Sequence, residues 1–292
     1  MDEARRFVVI GGGPAGVSAA AEAARLGCEP LLLDQSGQPG GLISHAYQVR
    51  NFPGLPGAPR GSEVALSFAS RLEEWGIPIL RWKAVRLSGD DGLIRIEGED
   101  GDLVLAESVV VATGTRPRTI RIPGLGDPGS VAFSAEEALS MGARGSAAVI
   151  GGSDAAFDQA RFLRNEGIRV TILCRSATPR APAWLVSAAR DEGIGILCST
   201  EVSGCTRTAG RFALQARTGG KPCVFDADSI LVAAGREPSL PEGAARMLEL
   251  LPDRMALAGD ARGSNRRYAV AAIGDGCLAA RRLLDGERGG ST

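Results

Sequence analysis

The first part of the chain alternates between apolar runs and a glycine-rich turn. Apolar residues fill 7–10, small residues fill 11–16, alanines dominate up to Leu26, and a second apolar run at 31–33 ends in Asp34. This order predicts a strand, a turn, a helix and a second strand. The turn has glycines at positions 11, 13 and 16, the G-x-G-x-x-G spacing that brings backbone N–H groups and a helix N-terminus to a pyrophosphate. Asp34 follows where a carboxylate accepts hydrogen bonds from ribose hydroxyls.

The same pattern returns later in the chain. An apolar run at 147–150 precedes a glycine turn at 151–156, a helix is predicted to about Glu166, and another apolar run follows at 170–173. A repeated strand–turn–helix–strand unit is typical of proteins that bind two dinucleotides. The sequence therefore predicts two Rossmann-like domains.

The rest of the pattern surrounds these two units. Apolar residues at helical spacing predict a helix over 63–75, and short alternating runs broken by Gly-Asp turns predict a β-meander over 77–111. Further on we expect a strand at 194–197, a hairpin at 201–225, a strand at 229–234, a closing strand at 256–258 and a helix from about Tyr268.

Proline-containing segments mark the crossings between the two domains. Arg116-Pro117-Arg118 and Gly235-Arg236-Glu237-Pro238 are interpreted as hinges. The predicted fold class is α/β, with two Rossmann-like three-layer domains, the second inserted into the first. The first domain is predicted to comprise 1–116 and 238–292, and the second 117–237.

The amino-acid composition argues against some classes of partner but does not identify the function. The 292 residues include 33 basic and 34 acidic side chains, and this balance gives no argument for nucleic acid or an anionic membrane as a partner. No apolar run is long enough to predict a transmembrane helix, and a first strand near residue 7 leaves no room for a signal peptide. A cytoplasmic location is therefore expected.

The thiols and the single histidine give no metal site. None of the six cysteines forms a C-x-x-C, and the histidine content is too low for the usual zinc spacing. We expect free, mostly buried thiols. A remote dithiol formed by Cys198 and Cys205 is the minor alternative.

Further segments give the chain a family resemblance. The run GGLISHAYQVRNFPG at 40–54, the strand ending in Ala112-Thr113-Gly114, and Gly259-Asp260 followed by Arg267-Tyr268-Ala269 resemble thioredoxin-reductase-like flavoproteins of the pyridine nucleotide-disulfide oxidoreductase family. The resemblance implies FAD in the first domain, NAD(P)H in the second, and a homodimer. The motif and the resemblance together implicate as FAD-binding residues Gly11, Gly13, Pro14, Ala15, Gly16, Asp34, Gln35, Gly41, Leu42, His45, Asn51, Val85, Ala112, Thr113, Gly114, Gly259, Asp260, Tyr268 and Ala269.

The second glycine turn departs from the family pattern. Ser153 replaces the second glycine and adds a side chain where a pyrophosphate must approach. Arg175 and Arg180 match two family arginines that bind the 2′-phosphate of NADPH, and Ser176 replaces a third. NADPH is slightly favoured, since no acidic residue ends the preceding strand. The implicated NAD(P)H-binding residues are Gly151, Ser153, Asp154, Ala155, Ala156, Arg175, Arg180, Ala234 and Gly235.

The redox disulfide of thioredoxin reductases has no counterpart in this sequence. Ser134 and Glu137 occupy the two cysteine positions, and neither side chain can exchange disulfides. We interpret this S-x-x-E as the capping box of a short helix. The weak catalytic candidates are His45, Tyr47 and Glu137. His45 could relay a proton near the flavin, or it could be a packed surface residue.

Two functions are compatible with the sequence. The first is an FAD-dependent oxidoreductase in which NAD(P)H reduces the flavin and electrons pass directly to an external acceptor. That acceptor would be a small redox protein, or a disulfide or sulfur-metabolism partner. The second is an FAD-binding partner or sensor subunit with a degenerate nicotinamide site and no NAD(P)H turnover.

Overall fold

A computed structural model describes residues 5–90, 92–126, 130–208, 210–263 and 267–288. The strands run over Arg5–Ile10 (β1), Leu31–Asp34 (β2), Ile79–Arg81 (β3), Ala84–Asp90 (β4), Leu93–Gly98 (β5), Leu103–Val111 (β6), Thr115–Pro117 (β7), Ser146–Ile150 (β8), Arg169–Leu173 (β9), Gly195–Leu197 (β10), Thr200–Thr208 (β11), Arg211–Thr218 (β12), Lys221–Ala227 (β13), Ser229–Val232 (β14), Arg236–Pro238 (β15) and Met255–Leu257 (β16). The helices run over Pro14–Arg25 (α1), Gly61–Glu74 (α2), Ala135–Ser140 (α3), Asp154–Asn165 (α4), Ala183–Asp191 (α5), Ala244–Leu250 (α6) and Ala269–Arg288 (α7).

The chain divides into two compact units. Unit 1 comprises Met1–Ser44, Val49–Arg116 and Glu237–Thr292, and unit 2 comprises His45–Gln48 and Pro117–Arg236. Unit 2 is thus inserted into the chain of unit 1. The two segments interpreted as hinges lie in the short strands β7 and β15, which pair with each other.

Unit 1 is built on one sheet with the strand order β3-β2-β1-β6-β5-β4. Strands β3, β2, β1 and β6 are parallel, whereas β4 and β5 continue antiparallel from β6. Because β6 is nine residues long, its first half pairs with β5 and its second half also pairs with β16. The parallel strands supply the Rossmann-like part. The meander predicted over 77–111 is correct only for β4, β5 and β6, because β3 pairs in parallel with β2 at the opposite edge of the sheet.

Alternation along these strands buries both faces of the sheet. In β1, Phe7 and Val9 pack with the alanines of α1 and with α7. The intervening Val8 and Ile10 pack on the other face with Leu87, Met247 and the rest of that cluster. A strand that is apolar at every position is what a parallel sheet covered on two sides requires.

Unit 2 contains a parallel sheet, β10-β9-β8-β14, and an antiparallel sheet, β11-β12-β13. One face of the parallel sheet packs on helices through residues such as Val149, Phe157 and Ile172. The other face packs on the antiparallel sheet through residues such as Leu173 and Leu214. The predicted α/β class with two Rossmann-like domains is confirmed.

The segment 201–225, predicted as a hairpin, belongs to a three-stranded antiparallel sheet. A second turn at Gly219-Gly220, where both glycines have positive φ (56° and 81°), returns the chain as β13. The structure thus has three strands where the sequence predicted two. In the part of the chain that is described, no helix combines the length and apolar content that crossing a membrane requires.

Candidate functional site

The first glycine turn is closely packed at two of its glycines. A Cβ at Gly16 would lie 1.7 Å from the carbonyl oxygen of Gly11, and a Cβ at Gly11 would lie 2.4 Å from the carbonyl oxygen of Ala112. At Gly13, by contrast, a Cβ would meet nothing within 4 Å. Gly11 and Gly16 therefore serve packing, whereas Gly13 leaves open space at the start of α1, where a pyrophosphate can approach the backbone.

Asp34 is fixed at the end of β2 by this turn and the loop that follows it. Its Oδ2 accepts a 2.7 Å hydrogen bond from the backbone N–H of Gly12. Its Oδ1 accepts from the backbone N–H of Ser36 at 2.8 Å and from the Ser36 hydroxyl at 2.5 Å. A carboxylate has about four lone-pair sites and three are used here, so Asp34 can still accept a bond from a ribose hydroxyl.

A buried hydroxyl lies beside the same turn. Thr113 Oγ1 is buried and forms no hydrogen bond within the described residues. The backbone nitrogen of Thr113 lies 3.0 Å from the Cβ position of Gly11. Buried polar groups are nearly always hydrogen-bonded. Together with the open Gly13 and the fixed Asp34, this orphaned hydroxyl fits a dinucleotide such as FAD.

Two further segments meet the turn. Gly41 opens a 3-10 helix over Gly41–His45, and a Cβ on it would lie 3.0 Å from the Cα of Gly13. The N–H of Gly40 donates to the carbonyl of Gly12 at 2.8 Å. Gly259, with φ of 63°, opens another 3-10 helix over Gly259–Arg262, and its Cβ position lies 2.8 Å from the Cβ of Ala15. The structure thus brings three separate stretches of chain to the first glycine turn.

The remaining residues implicated for FAD lie on several elements of the fold. Pro14 and Ala15 form the first turn of α1, Gly114 follows Thr113, and Asp260 follows Gly259. The exposed residues are Gln35 after β2, Leu42, Asn51 in a loop, and Tyr268 before Ala269, the first residue of α7. Val85 lies at the start of β4. No described contact joins Gln35, Asn51, Val85 or Tyr268 to the glycine turn, so their FAD roles stay predictions.

The second glycine turn is less open than the first. A Cβ at Gly151 would lie 2.5 Å from the carbonyl oxygen of Ala233, and one at Gly152 would lie 2.4 Å from Cys174 Sγ. Ser153 is the N-cap of α4, but its side chain makes no capping hydrogen bond. Asp154 begins α4 and is exposed. A carboxylate there competes with a phosphate for the positive end of the helix dipole.

The other residues implicated for NAD(P)H flank this turn. Ala155 is exposed, Ala156 is buried, and Ala234 and Gly235 lie half-buried after β14. The backbone N–H of Arg180 donates to the carbonyl of Gly152 at 2.7 Å, which folds the segment after β9 back onto the turn.

Two of the implicated arginines lie in the segment after β9. Arg175 and Arg180 are both exposed. Within the described residues, neither guanidinium forms a hydrogen bond or an ion pair. Each could donate charge-assisted bonds to a phosphate.

Ser134 and Glu137 cap the short helix α3. Ser134 Oγ accepts from the N–H of Glu137 at 3.1 Å. The Glu137 carboxylate accepts in turn from the N–H of Phe133 at 2.6 Å, one residue before the N-cap. Both side chains thus accept hydrogen bonds from backbone N–H groups at the N-terminal end of α3. These contacts favour the structural interpretation of Glu137.

Residues 45–48 pack with unit 2, although the sequence assigned them to the first domain. His45 Nδ1 contacts Glu136 Oε2. The backbone N–H groups of Tyr47 and Gln48 donate to Asp158 at 2.8 and 3.3 Å. Burial raises the pKa of the Asp158 carboxyl, although these backbone donors oppose the shift. The boundary differs because the partners of this segment lie on α3 and α4.

Tyr47 is held by the side chains of α4. Its hydroxyl donates to Asn165 Oδ1 at 3.2 Å, and the Arg161 guanidinium lies 5.4 Å from its ring centroid. Arg161 is 7% exposed and bonds Glu192 at 2.5–3.0 Å. These contacts give Tyr47 a packing role. Sequence reasoning missed Glu136 and Asp158, because their partners lie about a hundred residues away along the chain.

The thiol pair also differs from the one considered from the sequence. Cys205 is buried in the core between the two sheets of unit 2. The neighbour of Cys198 is the thiol of Cys174. Within the described residues, no group of His, Cys, Asp and Glu side chains could hold a metal ion.

Comparisons with known proteins place this geometry. The family model described as "Pyridine nucleotide-disulphide oxidoreductase" matches residues 5–287. The thioredoxin reductase of Streptomyces coelicolor is 28% identical over 314 residues, covering 96% of this chain and 93% of that protein. A ferredoxin–NADP reductase from Ignicoccus hospitalis is 27% identical over 241 residues, covering 80% and 78% of the two chains.

A solved structure gives the same result for the fold. The thioredoxin reductase of Lactococcus lactis superposes with a TM-score of 0.85 at 24% identity, covering 96% of this chain and 98% of that one.

Proposed function

Because the chain belongs to the pyridine nucleotide-disulphide oxidoreductase family, we propose that it is an FAD-dependent NAD(P)H oxidoreductase without an internal redox disulfide. Electrons would pass from the flavin directly to an external acceptor. The observation that carries the proposal is the open turn at Gly13, flanked by the fixed Asp34 and the unpartnered Thr113 hydroxyl. FAD, when bound, would supply the hydride and electron-transfer chemistry.

The residues of unit 1 would bind and orient the cofactor. The free N–H groups at the start of α1 would bind the pyrophosphate beside Gly13. Asp34 would accept a bond from a ribose hydroxyl, and the Thr113 hydroxyl would gain the partner that it lacks among the described residues. The segments at Gly41 and at Gly259-Asp260 would close around the flavin end, as the resemblance implies.

The residues of unit 2 would bind the reducing nucleotide. Arg175 and Arg180 have no partner among the described residues, and two such cations suit the 2′-phosphate of NADPH. Ser153 and Asp154 reduce the room and the positive potential for the pyrophosphate. We therefore propose NADPH as the reductant, bound more weakly than by an all-glycine turn.

The acceptor is proposed to be a small redox protein. Ser134 and Glu137 are engaged in capping α3, so no dithiol stands there to receive electrons. Relatives named for thioredoxin and for ferredoxin support an acceptor of this size and kind.

Anaerobic addition of NADPH or NADH to the FAD-loaded protein tests the proposal. We expect the visible absorbance of the oxidised flavin to bleach, faster with NADPH, and to recover when a ferredoxin or flavodoxin is added. The altered second turn favours one other function, a flavin-bearing subunit without nicotinamide turnover. Persistent oxidised flavin with both nucleotides would support that alternative and contradict the proposal.

A further inference from the structure

Two cysteines of unit 2 lie side by side at the ends of neighbouring parallel strands. Leu173 of β9 pairs with Leu197 of β10, and Cys174 and Cys198 are the next residues of the two strands. The N–H of Cys174 donates to the carbonyl of Leu197 at 2.8 Å, and the N–H of Thr200 donates to the carbonyl of Cys174 at 2.9 Å. Neighbouring strands are about 4.8 Å apart, within the Cα separation that a disulfide spans.

Extending this register by one residue places the Cys174 and Cys198 side chains on the same side of the sheet. Residues paired in a parallel ladder point to the same side of the sheet. Burial and contact with the Cys174 thiol together raise the pKa of Cys198, with Arg190 opposing the shift. Cys174 is 1% exposed, whereas Cys198 is only half-buried. One thiol is therefore accessible and the other is buried behind it.

The buried thiol also supports the second glycine turn. A Cβ at Gly152 would lie only 2.4 Å from Cys174 Sγ, so the sulfur packs directly against the turn's backbone. Ser176 Oγ lies 3.3 Å from the same sulfur. A change in the position of Cys174 Sγ would therefore shift the backbone of the turn that precedes α4.

We propose that Cys174 and Cys198 form a reversible redox pair that controls dinucleotide binding to unit 2. The accessible Cys198 thiolate attacks a small-molecule disulfide, forms a mixed disulfide and releases one thiol. The Cys174 sulfur, as its proton leaves, displaces the second thiol and forms the Cys174–Cys198 bond. Two protein thiols are oxidised and one external disulfide is reduced to two thiols. Because the raised pKa of Cys198 lowers its thiolate fraction, the exchange is slow at neutral pH.

Oxidation then weakens nucleotide binding. The new bond draws Cys174 Sγ toward Cys198 and removes packing beneath Gly152, so the turn loses its support. This consequence rests on the proposed function, since it assumes that the turn binds NADPH. We expect the oxidised protein to bind NADPH about fivefold or more weakly than the reduced protein.

The experiment exposes the full-length, FAD-loaded protein to oxidised glutathione without oxygen. Remaining thiols are then alkylated, and the peptides are mapped by mass spectrometry without reduction. The expected product is a Cys174–Cys198 cross-linked peptide that dithiothreitol removes. The Cys174→Ser variant should stop at a glutathione adduct on Cys198, and Cys198→Ser should give neither product. The matched control, Cys223→Ser, should form the cross-link like the parent protein.

Calorimetric titration with NADPH before and after oxidation tests whether the disulfide weakens NADPH binding. Affinity should fall on oxidation in the parent protein and in Cys223→Ser, and stay constant in Cys174→Ser. The proposed redox pair is contradicted if both thiols of the parent protein remain free, or if Cys198 keeps the glutathione adduct. A cross-link that leaves NADPH affinity unchanged overturns its control of binding. If NADPH binds neither form, the proposed function fails, while the peptide map still decides whether the pair exists.

Discussion

At the scale of single residues, the first glycine turn separates packing from binding. Gly16 and Gly11 cannot carry a Cβ because each is pressed against a carbonyl oxygen. Gly13 could carry one, since its backbone is extended at φ −72° and ψ −177° and the space around it is open. The motif spacing predicts both kinds of glycine, but it does not reveal the unpartnered hydroxyl of Thr113, which depends on the fold.

Replacement of Gly13 by alanine should therefore affect binding alone. We expect Gly13→Ala to leave the unfolding free energy of the apoprotein within about 0.5 kcal/mol of the parent and to weaken FAD binding at least about tenfold. Gly16→Ala, with its Cβ 1.7 Å from an oxygen, should instead lower stability by about 2 kcal/mol or more. Urea unfolding and FAD titration of both variants check this. Unimpaired FAD binding by Gly13→Ala would contradict the site.

Nucleotide choice is also decided at single residues. We expect Arg175→Ala to raise KM for NADPH about tenfold or more, because a charge-assisted bond to the 2′-phosphate is lost, and to change KM for NADH little. Arg217→Ala, an exposed arginine on β12, is the charge-matched control and should leave both constants unchanged. Steady-state flavin reduction with each nucleotide measures the effect. Equal losses for NADPH and NADH would show that Arg175 does not contact that phosphate.

At the scale of elements, α1 and α7 meet through small residues. A Cβ at Gly276 would lie 2.0 Å from the carbonyl oxygen of Ala15, so α7 packs backbone to backbone against the first turn of α1. The sequence predicts both helices, the first from the alanine-rich run after the glycine turn and the second from about Tyr268 onward. It does not predict which glycine lies at their contact, because two glycines, Gly274 and Gly276, stand close together in α7.

These two glycines provide a matched pair of variants. Gly276→Ala should lower the unfolding free energy by about 1–3 kcal/mol, since the added methyl clashes with a carbonyl oxygen. Gly274→Ala meets nothing within 4 Å and should raise it by about 0.5–1 kcal/mol through helix propensity. Thermal or urea unfolding of the FAD-free proteins compares them. Equal effects of the two substitutions would contradict the helix contact.

The contact of residues 45–48 with the buried Asp158 can be tested by measuring stability as a function of pH. Burial raises the pKa of Asp158 in the folded protein, so its neutral form is favoured there. The resulting contribution to stability is complete below the unfolded pKa and is lost as the pH rises through the folded pKa. The stability advantage of the parent over Asp158→Asn should therefore shrink as the pH rises from acidic to neutral. Urea unfolding across this pH range measures the difference in stability between the two proteins. A difference that grows with pH would contradict the raised pKa of Asp158.

Two features of the fold cannot be predicted from local sequence patterns. The third strand of the antiparallel sheet was missed because Gly219-Gly220 lies inside a segment whose apolar residues resemble one hairpin. The packing of 45–48 on α3 and α4 was missed because it depends on Asp158 and Glu136, which no local pattern connects to His45 or Tyr47. The apolar parallel strands and their glycine turns can be predicted because both are local signals.

At the scale of the whole molecule, two Rossmann-like units share one chain, and the family that this architecture belongs to uses a flavin with a pyridine nucleotide. The sequence contains no C-x-x-C, and Ser134 and Glu137, which the resemblance aligns with a redox disulfide, cap α3. The central claim is that the flavin is the sole redox centre between NADPH and the acceptor. The homodimer and the cytoplasmic location stay predictions, and light scattering would test the former.

An anaerobic reductive titration tests that claim most directly. It is best performed on FAD-loaded Cys198→Ser, which lacks the Cys174–Cys198 pair and keeps the Cys174 sulfur against Gly152. The account predicts complete bleaching by NADPH after uptake of about two electron equivalents per FAD, as expected for a flavin acting alone. Uptake of about four equivalents would reveal an internal disulfide, and failure of both NADPH and NADH to bleach the flavin would show that no nicotinamide turnover occurs; either result contradicts the account.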